Sequence, residues 1–152
     1  MSTGQNAISP NQDMIVAEIE IAAPPEHVFR ALTDPKQLLV WWTGCRQWDL
    51  VLRPGAKWRA TGSDEQCGDW VTQGEIIEVN PPWSLTYTWG EQVEYRGSVS
   101  STTVRYDLEP TGRGTRVRVT HYGFSGNHEA FESYRGGWPG VLELLRAHVE
   151  AN

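Results

Sequence analysis

The last two dozen residues place the tightest constraint on this chain. From Asn127 to Val149, the residues Phe131, Tyr134, Trp138, Val141, Leu142, Leu145 and Val149 recur at steps of three and four. That spacing sets side chains on one face of a helix and leaves Glu132, Glu143, Arg146 and Glu150 for water. About twenty residues at a rise of about 1.5 Å make a rod of roughly 30 Å, close to the span of a strand of about ten residues. One helix can therefore lie along a whole sheet. Inside the stripe stands Gly136-Gly137-Trp138-Pro139-Gly140, where glycine weakens a helix and an interior proline removes a hydrogen bond. The segment predicts a bend near Trp138, or a loop and a shorter helix starting at Pro139, where proline is tolerated. Alternatively, the glycines keep the helix thin where it faces the sheet and leave space for a pocket.

The rest of the chain supplies the sheet. Met1 to Gln12 is polar and aperiodic, the composition of a disordered tail. Asp13 to Ala22 alternates Ile15, Ala17, Ile19 and Ile21 against Val16, Glu18 and Glu20, a half-buried strand. Pro24-Pro25-Glu26 opens a helix with Val28, Phe29, Ala31 and Leu32 on its apolar side. Thr33-Asp34-Pro35 ends it, and Lys36 to Trp42 reads as a second short helix. From Cys45 the period changes to two. Strands are expected at Arg46–Leu52, Ala56–Thr61, Asp69–Asn80, Ser84–Gly90, Ser98–Glu109 and Thr115–Gly123, with a loop from Gly62 to Gly68 and a bulge at Gly74. Short connections between them imply an antiparallel meander. A sheet of about seven strands in the order β-α-α-β6-α, curved around the final helix, makes an α+β fold spanning residues 13–150 as one domain.

Composition narrows the function. A net charge of −6 argues against nucleic acid and anionic membrane as partners. No apolar run approaches a membrane span and Met1 to Gln12 lacks a signal peptide's pattern, so a soluble, cytoplasmic protein is expected. Cys45 and Cys67 are too few for a disulfide framework and read as free thiols. Eight tryptophans, five tyrosines and three phenylalanines suit a core and a ligand pocket equally.

Strand parity selects the inward side chains. Val104, Tyr106 and Leu108 define one row, to which Ser98, Ser100 and Thr102 belong; Val117, Val119 and His121 define a second. Leu85, Tyr87 and Trp89 share a face, as do Trp58 and Ala60. Trp41, Trp42, Phe131, Tyr134 and Trp138 would edge the groove. This gives Trp41, Trp58, Tyr87, Trp89, Tyr106, His121, Phe131, Tyr134 and Trp138 as candidate ligand-binding residues, although an aromatic stripe serves as plain core equally well. Hydroxyls on the inward rows suggest a wetter interior. His121 is the one candidate acid or base, set against the commoner role of a hydrogen-bonded structural histidine. His27, His128 and His148 lack a metal spacing and are expected to face solvent. Glu75, Glu78 and Asp107 read as sheet-surface carboxylates. No metal site, cofactor or phosphate-binding motif is expected.

The opening strand followed by APPEHVFRALTDP (23–35), WW at Trp41 and Trp42, LRPGAKW (52–58), GEIIEVNPPWSLTYTW (74–89) and GGWPGVLELL (136–145) together resemble the SRPBCC or START-like superfamily, the Bet v 1-like helix-grip fold. Within it the chain is similar to the branch of the activator of heat-shock-protein-90 ATPase, C-terminal domain. The resemblance implies a curved antiparallel sheet gripping a long C-terminal helix, and three roles: a binder of a small hydrophobic ligand, a cyclase or hydrolase using the same cavity, or a module contacting a chaperone. The binder is the leading expectation, as a monomer or homodimer. The co-chaperone's separate N-terminal domain has no counterpart in the sequence, which argues against direct ATPase activation. A shared fold does not fix the role.

Overall fold

The computed structural model describes residues 14–65, 68–93 and 97–152, with the backbone alone at 91–93 and 97–100. The predicted tail, Cys67 and the side chains of Ser98 and Ser100 lie outside that description. The elements run β1 (Met14–Ile21), α1 (Pro25–Thr33), α2 (Pro35–Trp41), β2 (Cys45–Asp49), β3 (Lys57–Asp64), β4 (Gly68–Asn80), β5 (Ser84–Val93), β6 (Gly97–Pro110), β7 (Thr115–Tyr122) and α3 (His128–Glu150). The seven strands form one open, curved antiparallel sheet in the order β1-β7-β6-β5-β4-β3-β2. This is the α+β helix-grip architecture.

The register explains why one face is apolar. Ile15 opposes His121, His121 opposes Val104, Val104 opposes Tyr87 and Tyr87 opposes Ile76, so alternating residues of five strands fall into one continuous row. All five are buried. A sheet with one apolar face must cover it, and three helices do so. Pro25 occupies the first turn of α1, where its missing N–H costs nothing, and Val28, Phe29, Ala31 and Leu32 are buried as their spacing predicts. Asp34 caps α2 by accepting from the Lys36 N–H. Asn127 caps α3 by accepting from the Ala130 N–H at 3.1 Å.

Four expectations are corrected. α3 starts at His128 and continues through Pro139, so no late start occurs. Pro139, Arg135, Gly136, Gly137 and Gly140 are all exposed, which leaves the carbonyl that loses its partner to proline on the wet side, where water satisfies it. Those glycines therefore do not thin the helix against the sheet; a Cβ at 136, 137 or 140 would meet nothing within 4 Å. The bulge falls at Ile77, between the pairs Ile76↔Tyr87 and Glu78↔Thr86, rather than at Gly74. Nor does a loop begin at Gly62, because β3 continues to Asp64 and pairs with Gly68.

Gly74 answers a different need. At this point β4 and β5 approach so closely that a Cβ on Gly74 would lie 2.0 Å from the Thr88 carbonyl oxygen. The Glu75 N–H donates to Thr88 Oγ1 at 2.8 Å, while the Thr88 carbonyl accepts from Trp58 Nε1 at 2.9 Å. The side chains of Thr88 and Trp58 thus carry hydrogen bonds that a plain ladder would assign to backbone.

Two glycine substitutions should move stability in opposite directions. In chemical denaturation, Gly136→Ala is expected to raise stability by about 0.5–1 kcal/mol. Gly74→Ala is expected to lower it by about 1–3 kcal/mol through overpacking.

Candidate functional site

The concave face carries a connected set of aromatic rings. On the sheet, Trp58 lies 5.0 Å from Tyr87 and 5.2 Å from Trp89 between ring centroids, and Tyr87 meets Tyr106 edge-on at 6.2 Å. From α3, Trp138 stands edge-on to Tyr106 at 6.0 Å and to His121 at 5.9 Å. Tyr134 lies 4.7 Å from His121. Edge-on and tilted contacts place positive ring edges on negative faces. Phe131 reaches this set through Phe124, 5.6 Å away. Trp41 stands apart in role: its Nε1–H donates to the Ala31 carbonyl at 2.9 Å, which pins α2 to α1.

His121 sits where parity put it, fully buried. Trp138 Nε1–H donates to its Nδ1 at 3.0 Å, so the ring proton resides on Nε2, 2.7 Å from Thr102 Oγ1. The Thr102 hydroxyl in turn donates to the Trp89 carbonyl at 2.8 Å. Every group in this chain is used, and neither nitrogen is left for a substrate proton. Burial lowers the His121 pKa to about 3, which keeps the ring neutral. The inward hydroxyl of Thr102 is thus satisfied by protein and needs no water. Burial also pushes the Tyr87 and Tyr106 phenols up.

The void expected beneath Trp138 is occupied by His121, Tyr106 and Trp89, each about 6 Å from its ring. Among the strands α3 lies mainly along β1, and its Trp138 ring reaches Trp89 of β5. On that side stands Trp42, which ends α2. It is half-buried and packs against Trp41, Trp48, Trp89 and Trp138 at 5.1–6.3 Å. Trp42 was legible as an edge residue from the WW pair. Trp48 and Thr72 were not singled out; the parity of Ile76 marks Thr72 as inward, but polar character hid it.

The outer face is charged. Lys57 pairs with Glu75, Arg105 with Glu78 and Asp107, and Arg118 with Glu18, so the three strand carboxylates singled out above are solvated ion-pair members. A shallow cleft of about 520 Å³ on this face is lined mainly by polar side chains such as Lys57, Arg59, Gln73 and Glu75. His27 and His128 are exposed, whereas His148 is half-buried and bonded to Gln37 Oε1 at 3.0 Å. Among the described residues, no group of three or more His, Cys, Asp or Glu side chains could hold a metal ion. No helix among them is long and apolar enough to cross a membrane.

The neutral His121 ties stability to pH. In the unfolded chain an imidazole takes up its proton near pH 6.5, whereas the folded ring stays neutral down to about 3. Unfolding therefore binds a proton between these values, and stability is lost as pH falls from about 6.5 toward 3. Between about pH 8 and about pH 5 the parent protein should lose about 2 kcal/mol more stability than His121→Gln, read from urea midpoints.

Comparison with known proteins places this geometry. Residues 22–150 match the family described as Activator of Hsp90 ATPase homolog 1-like protein. No curated protein matches. A crystal structure from Mesorhizobium loti is similar at 27% identity and a TM-score of 0.75, covering 91% of this chain and 98% of the other. The AHSA1 protein from Silicibacter pomeroyi is 26% identical with a TM-score of 0.75, over 90% and 96% of the two chains. DynU16, a putative protein in the dynemicin biosynthetic locus, shares the fold at 21% identity and a TM-score of 0.72, over 91% of this chain and 47% of that one. With 129 consecutive positions (22 through 150) matched, the chain belongs to the activator of Hsp90 ATPase homolog 1-like family.

Proposed function

We propose that this protein binds a small apolar or aromatic molecule on the concave face, on the side covered by Trp42 rather than beneath Trp138. The observation that carries this reading is the position of Trp42: a half-buried ring at the end of the seven-residue α2 that roofs the buried Trp48, Trp89 and Trp138. Its contacts are ring against ring, so a flat ligand can replace them in kind. The lining would be Trp48, Trp58, Tyr87 and Trp89, with Trp138, Tyr106 and His121 as the fixed wall behind them. Tyr134, Phe131 and Phe124 close the far end, and Trp41 holds α2 in place. His121 orients Trp138 and performs no proton transfer, so the reading is a binding protein and not an enzyme.

Burying about 200 Å² of ligand surface contributes about 5 kcal/mol, and ring contacts add about 1 kcal/mol, which corresponds to a Kd of tens of micromolar. Titration with naphthalene, followed by tryptophan fluorescence and by indole N–H resonances, should show saturable one-to-one binding in that range. Trp42→Ala should weaken it about fivefold. A flat titration would overturn the reading and leave chaperone contact through the outer surface, the role named in the family's description, as the one to pursue.

A further inference from the structure

Five tryptophans are buried: Trp41, Trp48, Trp58, Trp89 and Trp138. Four of their indole N–H groups have acceptors, namely the Ala31 carbonyl, the Thr88 carbonyl, the Tyr134 hydroxyl and His121 Nδ1. The fifth does not. Trp48 Nε1 has no hydrogen-bond partner, and the same holds for Thr72 Oγ1. These residues are 5% and 2% exposed, so bulk water does not reach them. Trp48 pairs with Ala60 and Ala60 with Thr72, which sets the three side chains in one row across β2, β3 and β4. The residue between the two orphans is the smallest of the row and wholly buried.

An unpaired donor in an apolar interior is disfavoured, and native interiors rarely leave one. Here two stand in one row of the sheet, flanking a methyl group, beside the ring of Trp42 that packs at a tilt against Trp48 at 5.1 Å. We propose that Trp48 Nε1 and Thr72 Oγ1 are the polar anchor of the ligand site, and that the ligand is a neutral aromatic molecule carrying a carbonyl or hydroxyl oxygen. This rests on the binding reading above and adds the ligand's chemical class. The class follows from the donor set. An indole N–H only donates, so it requires an acceptor; a threonine hydroxyl donates or accepts, so it serves either a carbonyl or a hydroxyl. An ammonium group would meet an N–H dipole with a single neutral hydroxyl to offset its charge. A carboxylate would be buried without a cation. The rings of Trp42, Trp48 and Trp58 supply the apolar surroundings for the remainder of the molecule.

The test compares two probes of equal shape, 2-naphthol and naphthalene, by calorimetry and by the indole N–H spectrum. The expected result is that 2-naphthol binds about tenfold tighter, with the Trp48 N–H resonance, assigned by its absence in Trp48→Phe, moving downfield only with 2-naphthol. Trp48→Phe and Thr72→Val should each remove most of that preference, read as the ratio of the 2-naphthol and naphthalene affinities within the same variant. If both probes bind equally and the Trp48 resonance does not respond, the anchor is wrong and the binding reading stands. If neither binds, both fail. Should either variant not fold, the preference and resonance shift in the parent protein decide alone. A water bridging the two atoms that persists in a crystal of the 2-naphthol complex would also overturn the anchor.

Discussion

The hydrogen bond from the Trp138 indole to His121 decides how the halves of this molecule meet. It joins the middle of α3 to β7, and through Thr102 and the Trp89 carbonyl it continues into β6 and β5. Hydrophobic burial holds a helix against a sheet but fixes neither its rotation nor its register, because apolar contact has no direction. A buried donor that must find one acceptor supplies that direction. With Trp138 turned inward, the exposed side of α3 is fixed by the 3.6-residue repeat, and Gly136, Gly137 and Pro139 fall on it. The wet location of these helix-weakening residues is thus a consequence of one indole's orientation.

This dependence also explains which parts of the architecture were legible in the sequence. Strand parity depends on a period of two that survives any ambiguity in length, and it placed Val104, Tyr106, Val117, Val119, His121, Tyr87, Trp89 and Trp58 on the correct face. Helical spacing likewise placed Phe131, Trp138, Leu142, Leu145 and Val149. What spacing cannot carry is the distance between layers. Whether Trp138 stands over a void or over His121 depends on the sheet's curvature, which arises from pairing between residues far apart in the chain. The role of Gly74 was missed for the same reason: a glycine in a strand signals either a bulge or a close approach, and only the position of Thr88 on the neighbouring strand distinguishes them. The polar atoms of Trp48 and Thr72 were invisible because an unmet hydrogen bond is a property of surroundings, not of residue type.

The two faces of the sheet divide the chemistry between them. Outward positions of β1, β4, β6 and β7 hold opposite charges side by side, as Arg118 with Glu18 at 2.6 Å and Arg116 with Glu109 at 2.6 Å. Such exposed pairs add little to stability; they keep the wet face from offering apolar surface to another sheet. The inner face carries no formal charge among its described residues, since even its histidine is neutral. Recognition inside is therefore restricted to ring contact and to single neutral hydrogen bonds.

The pairing of β1 with β7 reaches beyond the static architecture. The first described strand hydrogen-bonds only to the last one, and Glu150, near the C-terminus, accepts from the backbone of Ala22 at 2.9 Å. β1 finds its strand partner only after β7, 100 residues on at the Glu18–Arg118 pair, has been synthesised. Loop closure over such a span is slow compared with local hairpin formation. During translation, the hairpins from β2 to β6 emerge with their tryptophan-rich side bare until the closing helix leaves the ribosome. For this topology, the moment of greatest vulnerability to self-association lies on the nascent chain.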